Sequence, residues 1–137
     1  MQPINVKNSG THPWPKSIFA ITLFVEDLPA AKRFYQEVFG LPVIFEDANS
    51  CVFQIGETLI NLLMISQADE LIHPAQPAGR DAGARFVLTL HVEDVDALCA
   101  ELASRGVTLL NGPMDRPWGV RTASFVDPAG CIWEIAK

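Results

Sequence analysis

Apolar residues recur along this chain in two periods, and the same order of periods occurs twice. Ile18 to Val25 is an apolar run broken only by Thr22, which predicts a strand. Leu28, Ala31, Phe34, Tyr35, Val38 and Phe39 then follow at helical spacing. Asp27 supplies a cap and Pro29 sits in the first turn, where its missing N–H costs little. Gly40 ends the helix and Pro42 prevents its resumption. Val43–Glu46, Cys51–Ile55 and Thr58–Ile65 read as three further strands, the last two joined by a Gly56-Glu57 turn. Ser66–Ala84 carries Pro74, Pro77, Gly79 and Gly83 without an apolar period, so it reads as a long, mobile or crossing linker.

The second half restates the first. Arg85–Val92 predicts a strand, and Val92-Glu93-Asp94 repeats Val25-Glu26-Asp27. Asp94 caps a helix whose apolar face is Val95, Leu98, Cys99 and Leu102, and Gly106 stops it as Gly40 stopped the first. A strand is predicted at Val107–Leu110, followed by a hairpin of strands near 120–126 and 131–136 around the turn Asp127-Pro128-Ala129-Gly130. Each half is therefore β-α-β-β-β. The expectation is an α+β fold of two modules, residues 18–65 and 85–137, joined by the linker 66–84 and preceded by a loose arm, 1–17, with Trp14 as its anchor.

With a four-residue loop at 127–130, Ala123 lies opposite Glu134 and Phe125 opposite Ile132. Arg121, Ala123, Phe125, Ile132 and Glu134 then share one face, and Trp133 packs on the other against a helix. Glu134 is the anomaly of the hairpin. A carboxylate in an apolar strand needs a partner, a metal or water, because burying it bare costs several kcal/mol. Arg121 is the diagonal candidate.

Composition narrows the function classes. The 137 residues are 49% hydrophobic and 19% charged, which fits one well-cored domain and argues against disorder. A formal net charge of -6 disfavours nucleic acid and anionic membrane as partners. Three cysteines, Cys51, Cys99 and Cys131, have no metal-type spacing and read as reduced thiols of a cytoplasmic protein. There is no signal-peptide pattern, and the run from Ile18 to Val25 is too short to span a bilayer.

Two βαβββ modules, each with strand-Val-x-Asp-helix-Gly, and a closing Asp127-Pro128-Ala129-Gly130-x-x-x-Glu134 resemble the vicinal oxygen chelate superfamily, which includes glyoxalase I, extradiol dioxygenases, and fosfomycin- and bleomycin-resistance proteins. Pro117-Trp118-Gly119-x-Arg121 looks most like the bleomycin-resistance branch. The resemblance covers about residues 18–136 and implies paired half-barrel sheets that each contribute to a ligand cleft. It places the ligands of metal-dependent members at Ala20, Asn61, Val87 and Glu134. Ala20 and Val87 cannot ligate, and Asn61 is a poor ligand for divalent transition metals. A catalytic site needs about three protein ligands, so neither metal nor cofactor is expected. His91, four residues beyond Val87, is read as lining the cavity or core, while His12 and His73 fall in the arm and linker.

Alternation from Ala20 then turns Thr22 and Phe24 into the cleft, and Thr89 and His91 with Val87, with Thr22 and Thr89 read as packing residues. The expected ligand-binding set is Phe24, Asn61, His91, Trp118, Arg121, Phe125 and Glu134. Its mixture of aromatic and polar groups suits a small-molecule pocket. The resemblance favours a metal-independent protein that sequesters a planar or cationic small molecule. The alternatives are a lyase, isomerase or dioxygenase with an atypical metal site around Glu134 and His91, and a dimeric scaffold whose cleft is filled by its own side chains. A homodimer is expected, because two open half-barrels leave strand edges to be covered.

Overall fold

In a computed structural model, residues 13–137 are described, so His12 and most of the expected arm lie outside the described residues. The first module runs through β1 (Ala20–Val25), α1 (Leu28–Glu37), β2 (Phe45–Glu46), β3 (Ser50–Ile55) and β4 (Thr58–Met64). A connection follows with a 3-10 turn at Ile65–Gln67, the short helix α2 (Asp69–Ile72) and a second 3-10 turn at Arg80–Ala82. The second module comprises β5 (Val87–His91), α3 (Val95–Ser104), β6 (Asn111–Asp115), β7 (Arg121–Val126) and β8 (Ile132–Ala136).

Each module forms a four-stranded sheet, ordered β1-β4-β3-β2 and β5-β8-β7-β6. In both, the first strand runs parallel to the last and the other neighbours are antiparallel. β1 and β5 thus occupy equivalent edge positions, as the repeated sequence pattern predicts. The caps are equivalent too. Asp27 Oδ1 accepts from the Ala30 N–H at 3.1 Å, and Asp94 Oδ1 from the Ala97 N–H at 3.0 Å. Each satisfies one of the orphan donors of a helix start.

The helices cover one face of each sheet, and those faces share a core. Leu23, Val25, Phe53, Ile60 and Leu62 bury themselves with Ala31 and Tyr35 of α1. Ala123, Phe125, Trp133 and Ile135 do so with Val95 and Leu102 of α3. Phe39 joins the two sets, its ring centre 5.8 Å from that of Phe125 and 5.1 Å from that of Trp133. Arg105, just past α3, donates from Nη1 to the Val38 carbonyl at 2.7 Å, so one module satisfies an orphan carbonyl at the end of the other's helix. Among the described residues no helix is long and apolar enough to cross a membrane.

Two local expectations are corrected. The strand expected at Val107–Leu110 lies later, at Asn111–Asp115, and its pairing with β7 shifts register between Asn111 and Met114. Asn111-Gly112-Pro113 looks like a strand breaker, but on an edge strand a bulge absorbs it. The closing hairpin is also one residue out. The turn hydrogen bond from the Gly130 N–H to the Asp127 carbonyl forms at 3.1 Å, yet the Asp127 N–H reaches the Cys131 carbonyl at 2.9 Å. The loop is therefore five residues, and Phe125 pairs with Trp133 while Ser124 pairs with Glu134. A one-residue slip flips side chains to the other face.

Candidate functional site

The faces turned away from the helices carry the polar groups. Thr22 and Asn61 are register partners on β1 and β4, and Thr89 and Glu134 hold the equivalent places on β5 and β8. Asn61 Nδ2 donates to Thr22 Oγ1 at 3.3 Å, and Thr89 Oγ1 donates to Glu134 Oε1 at 2.9 Å. The two threonines therefore act as hydrogen-bond partners and not simply as packing. Glu134 is half-buried, and its carboxylate has a hydroxyl donor in place of the guanidinium expected from the sequence. His91 lies on the same face, two residues beyond Thr89, and is exposed.

The hairpin slip moves two candidates off this face. Phe125 is fully buried in the shared core and lines no cleft. Arg121 faces α3, where Nε and Nη2 each donate to an Asp96 oxygen at 2.8 Å and Nη1 donates to Asp115 at 3.1 Å. The Arg121 guanidinium holds the Asp96 carboxyl below the usual carboxylate range. Arg121 thus clamps α3 to the sheet and is not a partner of Glu134. Trp118 stands in the turn between β6 and β7 at 72% exposure. Among the described residues no hydrogen bond, ion pair or ring contact ties it to Glu134 or Asn61.

Phe24 lines a different feature, a cavity of about 280 Å³ at the seam of the modules. Its walls come from β1, residues 78–80 and 83–86, and the β7–β8 loop with Ile132. The connection is docked there, its Arg80 N–H donating to Glu26 Oε1 at 2.8 Å. The sequence reading missed Arg80 and Arg85 in this wall, because a Gly- and Pro-rich stretch without apolar period reads as a spacer. The available signal was two cations flanking Gly83 and its neighbours. Cys131 also lines the cavity, and burial with the nearby Asp127 charge pushes its thiol up to about 12. Only the thiolate is nucleophilic, so alkylation of Cys131 in the native protein at pH 8 is expected on the order of a thousandfold slower than for a free cysteine. Mass mapping of iodoacetamide adducts against time checks this.

The positions that the resemblance assigns to metal ligands do not fit a divalent ion. Ala20 and Val87 offer no donor, Asn61 offers only a neutral amide oxygen that suits divalent transition metals poorly, and Glu134 remains as a single carboxylate. Among the described residues no group of three or more His, Cys, Asp or Glu side chains is gathered to hold a metal.

Two sheets of βαβββ order, fused through their helices and open on their other faces, define a glyoxalase-type α+β fold. The family model of the Glyoxalase/Bleomycin resistance protein/Dioxygenase superfamily matches residues 17–135, and the chain belongs to that superfamily. It is 33% identical over 124 residues to the uncharacterized protein YraH of Bacillus subtilis (strain 168), covering 88% of this chain and 97% of that one. A glyoxalase/bleomycin resistance protein/dioxygenase from Nocardioides shares the fold with a TM-score of 0.81 at 21% identity, over 93% of this chain and 87% of that one. TnmS3, an antibiotic binding protein from Streptomyces sp. CB03234, superposes with a TM-score of 0.69 at 28% identity, over 90% of this chain and 97% of that one.

Proposed function

We propose that this protein is a metal-independent small-molecule binding protein that holds a planar or cationic ligand on the open faces of its sheets. The observation that carries this reading is the equivalence of the Thr22–Asn61 and Thr89–Glu134 pairs. Where metal-dependent members would place ligands, these pairs present a carboxamide and a carboxylate suited to hydrogen bonding and charge attraction. The likeness to TnmS3, a protein named for binding an antibiotic, supports the same class. Trp118 supplies an exposed ring for stacking, and Glu134 supplies the negative charge.

The open faces also favour a homodimer. Phe19 is 77% exposed and Phe86 55% exposed, at matching places just before β1 and β5. Large apolar groups left in solvent mark interaction surfaces, and a second copy would cover them while completing the cleft. Light scattering is expected to give twice the 15.0 kDa chain mass at micromolar concentration. A monomer would reject the pairing.

Titration with bleomycin or another planar cationic compound, followed by tryptophan fluorescence, tests the ligand class. Trp118→Ala is expected to weaken binding by about 1–3 kcal/mol, the range for one stacking or cation–π partner. Glu134→Gln keeps shape but removes charge, so affinity should fall and lose part of its salt dependence. Unchanged binding in both variants would place the ligand elsewhere. Stoichiometric divalent metal after chelator-free purification, with activity lost to chelator, would replace this reading with an enzymatic one.

A further inference from the structure

We infer that the seam cavity is a second ligand site, specific for a small apolar carboxylate whose acid group is bound by Arg80 and Arg85. The cavity adjoins the open faces and shares Thr22 with them, but Glu134, Trp118 and Asn61 do not line it, so the two sites are tested by different residues. The apolar lining is the half-buried Phe24 and Ile132 together with the exposed Phe86. Much of the facing wall comes from Gly79, Gly83 and Gly130, which project no side chain into the space. A cavity of about 280 Å³ is at the lower end of ligand pockets. It therefore suits one aromatic ring or a short branched chain rather than a drug-sized molecule.

The cations give the site its polarity. Three of the other four arginines are used internally. Arg105 bonds Glu101 and the end of α1, Arg116 bonds Thr122 and Asn111, and Arg121 bonds Asp96 and Asp115. Among the described residues Arg33, Arg80 and Arg85 have no such acceptor, and of these the exposed Arg80 and Arg85 are lining residues of the cavity, their side chains free to turn toward a ligand. Guanidinium groups bind carboxylates in a fork, with two charge-assisted hydrogen bonds. Arg80 is also positioned in advance. Its backbone is held by Glu26, and a Cβ added at Gly130 would meet its Cγ and carbonyl oxygen at 3.4 Å. Glu26 and Asp81 nearby offset the local positive charge, so affinity must come from fork geometry with an apolar tail, not from net potential. A guanidinium fork accepts phosphate as readily as carboxylate, so the apolar lining is what favours a monocarboxylic acid with a ring or branched tail.

The test uses the full chain, labelled with ¹⁵N, titrated with benzoate, phenylacetate and isovalerate, with benzamide as the uncharged control. Saturable shifts of the Gly79, Gly83 and Gly130 amides are expected with at least one acid and not with benzamide. Arg80→Gln combined with Arg85→Gln is expected to weaken that acid roughly tenfold or more, the loss for charge-assisted hydrogen bonds. Ala84→Trp, at an exposed wall position, is expected to fill the cavity and abolish the shifts in a protein whose spectrum stays dispersed. No shifts with any of the three acids would overturn the inference. So would equal binding of benzamide, unchanged affinity in the double variant, or shifts confined to Thr89 and Glu134.

Discussion

Asp127→Ala is expected to destabilise the protein by about 3–5 kcal/mol, although the residue sits in a turn. Asp127 is 2% exposed and makes three hydrogen bonds. Its Oδ2 accepts from the Tyr35 hydroxyl at 2.6 Å, and its Oδ1 accepts from the Ala129 and Cys131 N–H groups at 2.9 and 2.8 Å. Tyr35 in turn accepts from Trp133 Nε1 at 3.0 Å. Tyr35 belongs to α1 and Asp127 to the β7–β8 loop, so this chain of bonds fastens one module to the other inside the shared core. Alanine leaves three donors unsatisfied, each costing about 1–3 kcal/mol, with loop relaxation recovering part.

Tyr35→Phe leaves Asp127 its two backbone donors but orphans Trp133 Nε1, so about 1.5–3 kcal/mol is expected. The two changes should be non-additive in a double-mutant cycle, because each removes the same bond. Urea midpoints should fall with an unchanged slope. Burial also raises the Asp127 carboxyl above its usual range, against the pull of its donors. The folded state then keeps a proton that the unfolded chain releases, so this contribution is present at low pH and is lost as pH rises through the folded value. Asp127→Asn should remove that slope. A midpoint unmoved by Asp127→Ala would mean that the modules hold together without this chain of bonds.

The fold was legible because the same local signals occur twice and agree with each other. Asp27 and Asp94 cap as read, and the alternation that turned Thr22, Thr89 and His91 away from the helices is the observed one. The site was half legible for a specific reason. Face assignment on β1 and β5 was counted from Ala20 and Val87, the positions that the resemblance fixes, whereas on β7 it rested on loop length. The four-residue turn is present, but Cys131 remains in the loop, and that one residue exchanges Phe125 and Arg121 for Ser124 and Thr122. Asp127 was read as a turn residue because its partner, Tyr35, is 92 positions away. A tyrosine in a buried helical stripe needs a partner for its hydroxyl, which was the clue available. The seam arginines gave no periodic signal at all.

Gly112→Ala is expected to cost about 3 kcal/mol or more, making Gly112 the least replaceable glycine of the second sheet. Gly112 has φ of +86°, in the left-handed region that a β-carbon disfavours. Strain there costs about 1–3 kcal/mol, and sterics add to it. A Cβ at this position would lie 2.5 Å from the Thr122 carbonyl oxygen and 2.8 Å from the Ala123 Cα. Both are backbone atoms of β7, so no side chain can swing aside, and β6 would have to lift from its neighbour. By contrast, a Cβ at Gly119 would meet nothing within 4 Å, at φ of +96°. Gly119→Ala should therefore show the conformational cost without the clash, and the difference between the two variants isolates the contact. Because Arg116 bonds Thr122 and Asn111 across the same bulge, amide exchange should also rise at β6 and β7 in Gly112→Ala more than at β1 and β4. Equal destabilisation by the two alanines would mean that β6 shifts freely, and that the bulge at Gly112 is not what sets the register of the second sheet.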